Sequence, residues 1–135
     1  MVYLDANVFL FSLLYDPEEE PKAQRAREIL TGVAHGRVRA FTSTLTWDEV
    51  VWVVWRLVGR PEALRVGALL LRFPNLTFVD VTHPVLARAQ EVMTTYGLRP
   101  RDSIHVASAL AVGEREIVSD DADLDRVDII TRVPL

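Results

Sequence analysis

The sequence predicts an α/β fold, a parallel sheet with helices on both of its faces. Short apolar stretches of strand character alternate with longer segments of helical periodicity, which is the pattern of strand–crossover–strand units. The chain has 135 residues, half of them apolar, enough for one domain over residues 1–135 whose core needs no disulfide or structural metal. Acidic side chains recur beside the apolar elements, beginning with Asp5 at the end of the first of them. In a sheet of this kind ligands collect at the carboxyl ends of the strands.

Composition narrows the chemistry. There is no cysteine, so thiolate zinc sites, disulfide scaffolds and cysteine nucleophiles are excluded. The longest apolar run, Val50 to Trp55, is too short to cross a bilayer, and Met1 leads directly into strand-like sequence. The expectation is a soluble, cytoplasmic protein with no membrane partner. A net charge of −4 argues against a general polyanion binder. Of fifteen basic residues only Lys22 is lysine. Arginine suits bidentate phosphate contacts, although compositional bias enriches it equally well.

Val2-Tyr3-Leu4-Asp5-Ala6-Asn7 reads as a buried strand that delivers a carboxylate and an amide just as a helix begins. Asp5 is also explained as a helix cap, and Asn7 ahead of Val8-Phe9-Leu10-Phe11 is a good N-cap for a helix over Val8–Tyr15. Asp16-Pro17 stops that helix, and Glu18-Glu19-Glu20 leads into a second over about Lys22–Ala34, with Pro21 at its first position. Gly36 ends it.

Arg39–Thr42 follows as a strand, and Ser43–Thr46 turns into a third helix, Trp47–Val58. Trp47, Val50, Val51, Val54, Trp55 and Val58 line one side of that helix while Trp52 and Val53 are apolar on the other, so burial from two directions is expected, the leftover surface being covered either by more of this chain or by another molecule. Glu49 falls in its expected first turn, where the macrodipole alone favours an acid, and Arg56 shares its face. Helix Glu62–Arg72, strand Thr77–Val81 and helix Pro84–Tyr96 come next, with Gly97 as a C-cap.

Pro100 starts a further helix with Asp102 in its first turn, His105 one turn on, and small residues Ala107, Ser108 and Ala111 that permit close packing. Asp102 alone is an ordinary helix-start acid, and His105 reads as packing or as support for a neighbouring group. Strand Glu116–Val118 runs into Ser119-Asp120-Asp121-Ala122-Asp123-Leu124-Asp125, which holds more aspartates than one turn requires. Asp128–Val133 completes the chain as an edge strand.

With a parallel sheet, Asp5, Glu49, Asp102 and the Asp120-Asp121-Asp123 group can all face one edge. Ionised carboxylates gathered there need cations between them. Oxygen ligands without a cysteine or histidine set point to Mg²⁺ or Mn²⁺. Carboxylate-held divalent ions activate water and stabilise the oxygens of an in-line displacement at phosphorus, so phosphodiester hydrolysis is the inferred chemistry.

Four segments together resemble the PIN-domain ribonucleases, and more narrowly the VapC-like toxins of toxin–antitoxin pairs. They are Val2–Asn7, Ser43 with Glu49, Arg101-Asp102-Ser103-Ile104-His105-Val106-Ala107-Ser108-Ala109, and Ile117–Leu124, in the family's order over nearly the whole chain. The resemblance implies a three-layer α/β/α sandwich with a central parallel sheet, and Asp5, Glu49, Asp102 and Asp121 as acids holding Mg²⁺ or Mn²⁺. It also implies single-stranded RNA as substrate, with Asn7 and Ser119 orienting Asp5 and its neighbours. Asp120 and Asp123 leave the choice of fourth acid open, and Leu124 stands where the family usually has phenylalanine. A homodimer and an antitoxin partner are further implications, with the helix around Trp52 as a surface for them. Arg56, Arg99 and Arg101 are candidates for phosphate contacts.

The rivals fit less well. A phosphoacceptor receiver needs a lysine late in the chain, and a haloacid-dehalogenase-like phosphatase needs Asp-x-Asp where this chain has Asp5-Ala6-Asn7. A catalytically silent PIN-like module that binds metal, RNA or a protein partner is the alternative that remains.

Overall fold

The computed structural model describes residues 1–135. Five strands, β1 (Val2–Leu4), β2 (Ala40–Ser43), β3 (Leu76–Val79), β4 (Glu116–Val118) and β5 (Thr131–Val133), form one parallel sheet in the order β3-β2-β1-β4-β5. Six helices connect them: α1 (Ala6–Leu14), α2 (Pro21–Ala34), α3 (Thr44–Leu57), α4 (Arg60–Leu71), α5 (His83–Tyr96) and α6 (Pro100–Ala111). A 3-10 turn, Ala122–Arg126, lies between β4 and β5.

The period-2 alternation of the strands divides the core. Leu4, Ala40 and Val118 point into a cluster with Val8, Phe9, Ala26, Leu30, Val50 and Val66 from α1 to α4. Their neighbours Tyr3 and Ile117 point the other way, into a cluster with Val92, Val106, Leu124 and Ile130. Both faces of the sheet are therefore covered, as the apolar side chains on either side of β1 and β4 require, and the architecture is the expected α/β sandwich.

The chain first builds outward from β1 through β2 to β3, then returns so that β4 pairs with the opposite side of β1. That reversal makes the carboxyl ends of β1 and β4 a topological switch point, where neighbouring crossovers leave the sheet on opposite faces and open a crevice. Asp5 and Ser119 are the residues that follow those two strands.

Several boundaries differ from the sequence expectations. Helix α1 starts at Ala6, two residues earlier than expected, because Asp5 rather than Asn7 caps it: its Oδ1 accepts the Ala6 N–H at 2.6 Å. Helix α3 starts at Thr44 instead of Trp47, capped by the Ser43 hydroxyl, which accepts from Leu45 N–H at 3.0 Å. Glu49 is thereby in the second turn, beyond the helix-start preference that explained it. Strand β3 ends at Val79 and β5 begins only at Thr131, with residues 128–130 in a turn.

This chain buries α3 from one direction only, which removes the first of the two expected covers. Val50 and Val54 are buried against the sheet and Val51 meets Gly67 of α4, but Trp52 is 54% exposed and Trp47 and Trp55 are about as open. The first four helices already cover that face of the short sheet, and no element of this chain lies beyond α3.

Candidate active site

Asp5 leaves β1 with its backbone N–H still paired to the Val118 carbonyl of β4, at 3.0 Å, so the strand pairing itself aims the side chain into the crevice. The carboxylate is buried and fully engaged. Oδ1 takes the Ala6 N–H, and Oδ2 accepts from the Ser119 hydroxyl at 2.6 Å and from Asn7 Nδ2 at 3.3 Å. Asp5 is thus a helix cap and a site carboxylate at once. Asn7 also donates to Ser119 Oγ at 3.2 Å and accepts the Asp120 N–H at 3.2 Å, tying the first turn of α1 to the loop after β4.

Ser119 is a hub for that loop. Its hydroxyl accepts the Asp121 N–H at 3.0 Å, while its carbonyl accepts Arg132 Nη1 at 3.1 Å. Arg132 is held in turn by a two-pronged pair with Asp125, at 2.8 and 3.0 Å. These contacts fix the path that presents Asp121, whose Oδ1 caps the 3-10 turn by accepting from Asp123 N–H at 2.9 Å.

The first turn of α6 brings Asp102 to the same place. Asp102, Asp121 and Asp123 each offer a carboxylate oxygen within 4.8 Å of the others, all partly accessible. Burial pushes the Asp102 carboxyl up to about 7, helped by the charge of Asp121, a hydrogen bond with it and the charge of Asp5; His105 acts in the opposite direction. A carboxyl raised so far marks excess negative charge in a confined space, which a cation would relieve. The donor set is all oxygen, as hard divalent ions prefer. Asp102, Asp121 and Asp123 fit such an ion on these grounds.

Asp120 is directed elsewhere. It pairs with Lys22 of α2 at 2.7 Å, the one lysine of the chain. Asp123 is shared, since it also accepts Arg126 Nη2 at 3.0 Å.

Glu49 reaches the site from α3 through a histidine. His105 is completely buried on α6, with Nε2 at 2.6 Å from Glu49 Oε1 and 3.5 Å from Asp5 Oδ1. On the other side of the ring, Nδ1 is 2.7 Å from the Tyr3 hydroxyl. Burial works against a charged imidazole, yet Asp5, Glu49 and Asp102 together leave its pKa raised. The Tyr3 phenol is held well above its ordinary range by burial and by Asp5, so it keeps its proton.

The sequence alone assigns neither Tyr3 nor Arg132 to the site, and it is compatible with His105 as packing or support. A tyrosine in a fully buried strand is the signal for the first, because its hydroxyl must find a partner inside. Nothing local marks Arg132. Of the candidate phosphate ligands, Arg99 and Arg101 are exposed beside the first turn of α6, and Arg56 is exposed in the last turn of α3; none makes an ion pair.

The fold has counterparts among solved structures. VapC20 of Mycobacterium tuberculosis, described as a Sarcin-Ricin loop cleaving toxin, superposes with a TM-score of 0.78 at 14% identity, covering 95% of each chain. DNA-bound VapBC from Salmonella typhimurium gives a TM-score of 0.73 at 17% identity, over 98% of this chain and 96% of that one. FitAcB from Neisseria gonorrhoeae gives 0.68 at 19%, again over 98% and 96%. No curated protein matches the sequence significantly. Residues 2–130 match the PIN domain, and the chain belongs to the PIN domain family.

Proposed function

We propose that the protein is an endoribonuclease that hydrolyses phosphodiester bonds of single-stranded RNA with Mg²⁺ or Mn²⁺, and that it is the toxin half of a toxin–antitoxin pair. The observation that carries this reading is the convergence of Asp102, Asp121 and Asp123 within 4.8 Å at the switch point of a PIN fold, with Asp102 raised to about 7. A toxin–antitoxin complex from Klebsiella pneumoniae among the structural neighbours supports the second half.

Asp102 and Asp121, with Asp123 beside them, would hold the cation, and Asp5 and Glu49 would complete the acidic set. A divalent ion there would supply an activated water and a counter-charge for the phosphoryl oxygens. Ser119 and Asn7 keep Asp5 from rotating, so its carboxylate stays turned to the crevice. Arg99 and Arg101, beside the positive end of α6, attract the phosphate backbone and orient it against Asp102. The exposed tryptophan surface of α3 accommodates a second copy or an antitoxin.

Cleavage of a panel of single-stranded RNAs tests the reading. Wild type with Mn²⁺ or Mg²⁺ is expected to cut and to stop cutting in EDTA, and Asp5→Asn and Asp102→Asn are expected to be folded and at least a hundredfold slower. Undiminished cleavage by both variants would refute it, and a folded wild type that binds RNA without cutting any would favour the silent binding module.

A further inference from the structure

Glu49 and Asp5 come from different elements, yet both approach one ring nitrogen, His105 Nε2, at 2.6 and 3.5 Å. A contact of 2.6 Å to a carboxylate oxygen requires a hydrogen on that nitrogen, since two lone pairs would otherwise face each other. The neutral imidazole then has an unprotonated Nδ1, which needs a donor in a site that excludes water. The only group bonded to it is the Tyr3 hydroxyl at 2.7 Å. Both rings are fully buried, and they meet edge to face with centroids 5.8 Å apart, which leaves neither room to turn. Ser108 Oγ, also buried and without a partner, and Ser43 face the same phenol. With its O–H donated to Nδ1, Tyr3 leaves the ring proton on Nε2, on the Glu49 side.

Resting on the proposed cation site, we propose that Tyr3 and His105 are positioning residues: Tyr3 fixes the His105 proton on Nε2, and that N–H holds Glu49 beside Asp5 for the divalent ion. Neither residue touches the ion or the substrate. Glu49 Oε1 is occupied by His105 while Oε2 makes no hydrogen bond, so the relay selects which oxygen is presented. Without it the part-buried Glu49 side chain has no other hydrogen bond to hold it, and one of the acids is withdrawn from the set. Histidines that orient ligating carboxylates are secondary partners whose loss costs about ten- to a hundredfold in metal affinity.

The test uses the metal-free full chain first and Mn²⁺ alone second. Long-range ¹H–¹⁵N correlation spectra are expected to find a protonated Nε2 on His105 in wild type, and both ring-nitrogen shifts are expected to move in Tyr3→Phe, which keeps the ring and removes the hydroxyl. Mn²⁺ titration followed by electron paramagnetic resonance is expected to weaken about tenfold in Tyr3→Phe and more in His105→Leu. His105→Gln, whose amide can still donate to Glu49, is expected to recover part of the loss, with circular dichroism verifying that each variant is folded. A wild-type His105 lacking the Nε2 proton, or unchanged nitrogen shifts in Tyr3→Phe, or equal Mn²⁺ affinity in His105→Gln and His105→Leu, would overturn the proposal. If the spectra behave as expected but wild type binds no Mn²⁺, the hydrogen-bond relay stands and the cation reading falls, taking the ion-positioning role with it.

Discussion

The Ser119 hydroxyl donates to Asp5 Oδ2 at 2.6 Å across 114 residues of sequence, joining the end of β4 to the end of β1 at the floor of the crevice. The same oxygen accepts from Asn7 Nδ2 and from Asp121 N–H, so one buried hydroxyl serves two acids and the amide between them. Ser119→Ala removes all three contacts and leaves the Asp121 N–H without a partner. The expected cost is about 2 kcal/mol in a urea unfolding titration, with loss of cleavage beyond what the stability change explains. A change within error would mean that Asp5 is oriented by its helix-cap contact alone.

The raised Asp102 carboxyl has a signed effect on pH stability. In the folded chain it holds its proton up to about 7, whereas unfolded it releases it near its ordinary value of 3.8. The native state therefore binds more protons between those values, and metal-free stability is expected to fall as pH rises from about 4 to about 7, with the loss complete above 7. Asp102→Asn should remove that slope and gain about 1 kcal/mol at pH 8, allowing for solvent screening of a half-buried group. Saturating Mg²⁺ or Mn²⁺ should reverse the order, because an ion bound only by the native wild type stabilises it. Thermal melts of both proteins at pH 5 and pH 8, with and without metal, check each sign.

The three aspartates after β4 separate by partner. Asp120 is paired with Lys22 at 2.7 Å, while Asp121 and Asp123 face Asp102. Asp121→Asn is expected to abolish cleavage, Asp123→Asn to weaken Mn²⁺ binding, and Asp120→Asn to leave cleavage near wild type with no resolvable shift in melting temperature, since exposed ion pairs contribute little. Loss of cleavage in Asp120→Asn alone would transfer the fourth acid to that position.

How far these arrangements are legible in the sequence depends on the range of the contacts that make them. The sheet and the approach of Asp5, Asp102 and Asp121 follow from patterns a few residues long: an apolar run, a proline, an acid at the junction. Asp5 capping its helix in place of Asn7 was harder to read, because both residues have the right chemistry and only the strand pairing of Asp5 N–H to Val118 decides between them. The Tyr3–His105–Glu49 chain spans β1, α6 and α3, and its members are ordinary residues in their own segments. Trp52 shows the limit from the other side: helical periodicity marks it as apolar, while the number of layers in the fold determines that nothing in this chain covers it.

Arg99, the N-cap of α6, and Arg101 in its first turn precede Asp102, exposed and unpaired, at the positive end of that helix. With a chain of net charge −4, the proposed function assigns these cations the task of drawing RNA toward an acidic site that would otherwise repel it. Each phosphate contact on a single strand releases condensed counterions, so the slope of log affinity against log salt should be shallower by about 0.7 for each arginine that makes one. Binding of a single-stranded RNA to a cleavage-dead Asp102→Asn background, measured from low to moderate salt, is expected to lose about 1.4 from that slope in the Arg99→Ala, Arg101→Ala double variant. Arg56→Ala, at the far end of α3, gives the comparison, with a loss of about 0.7 if the strand runs along that helix past Glu49. Unchanged slopes in all three positions would place the RNA path elsewhere and leave these arginines as solvated surface charge.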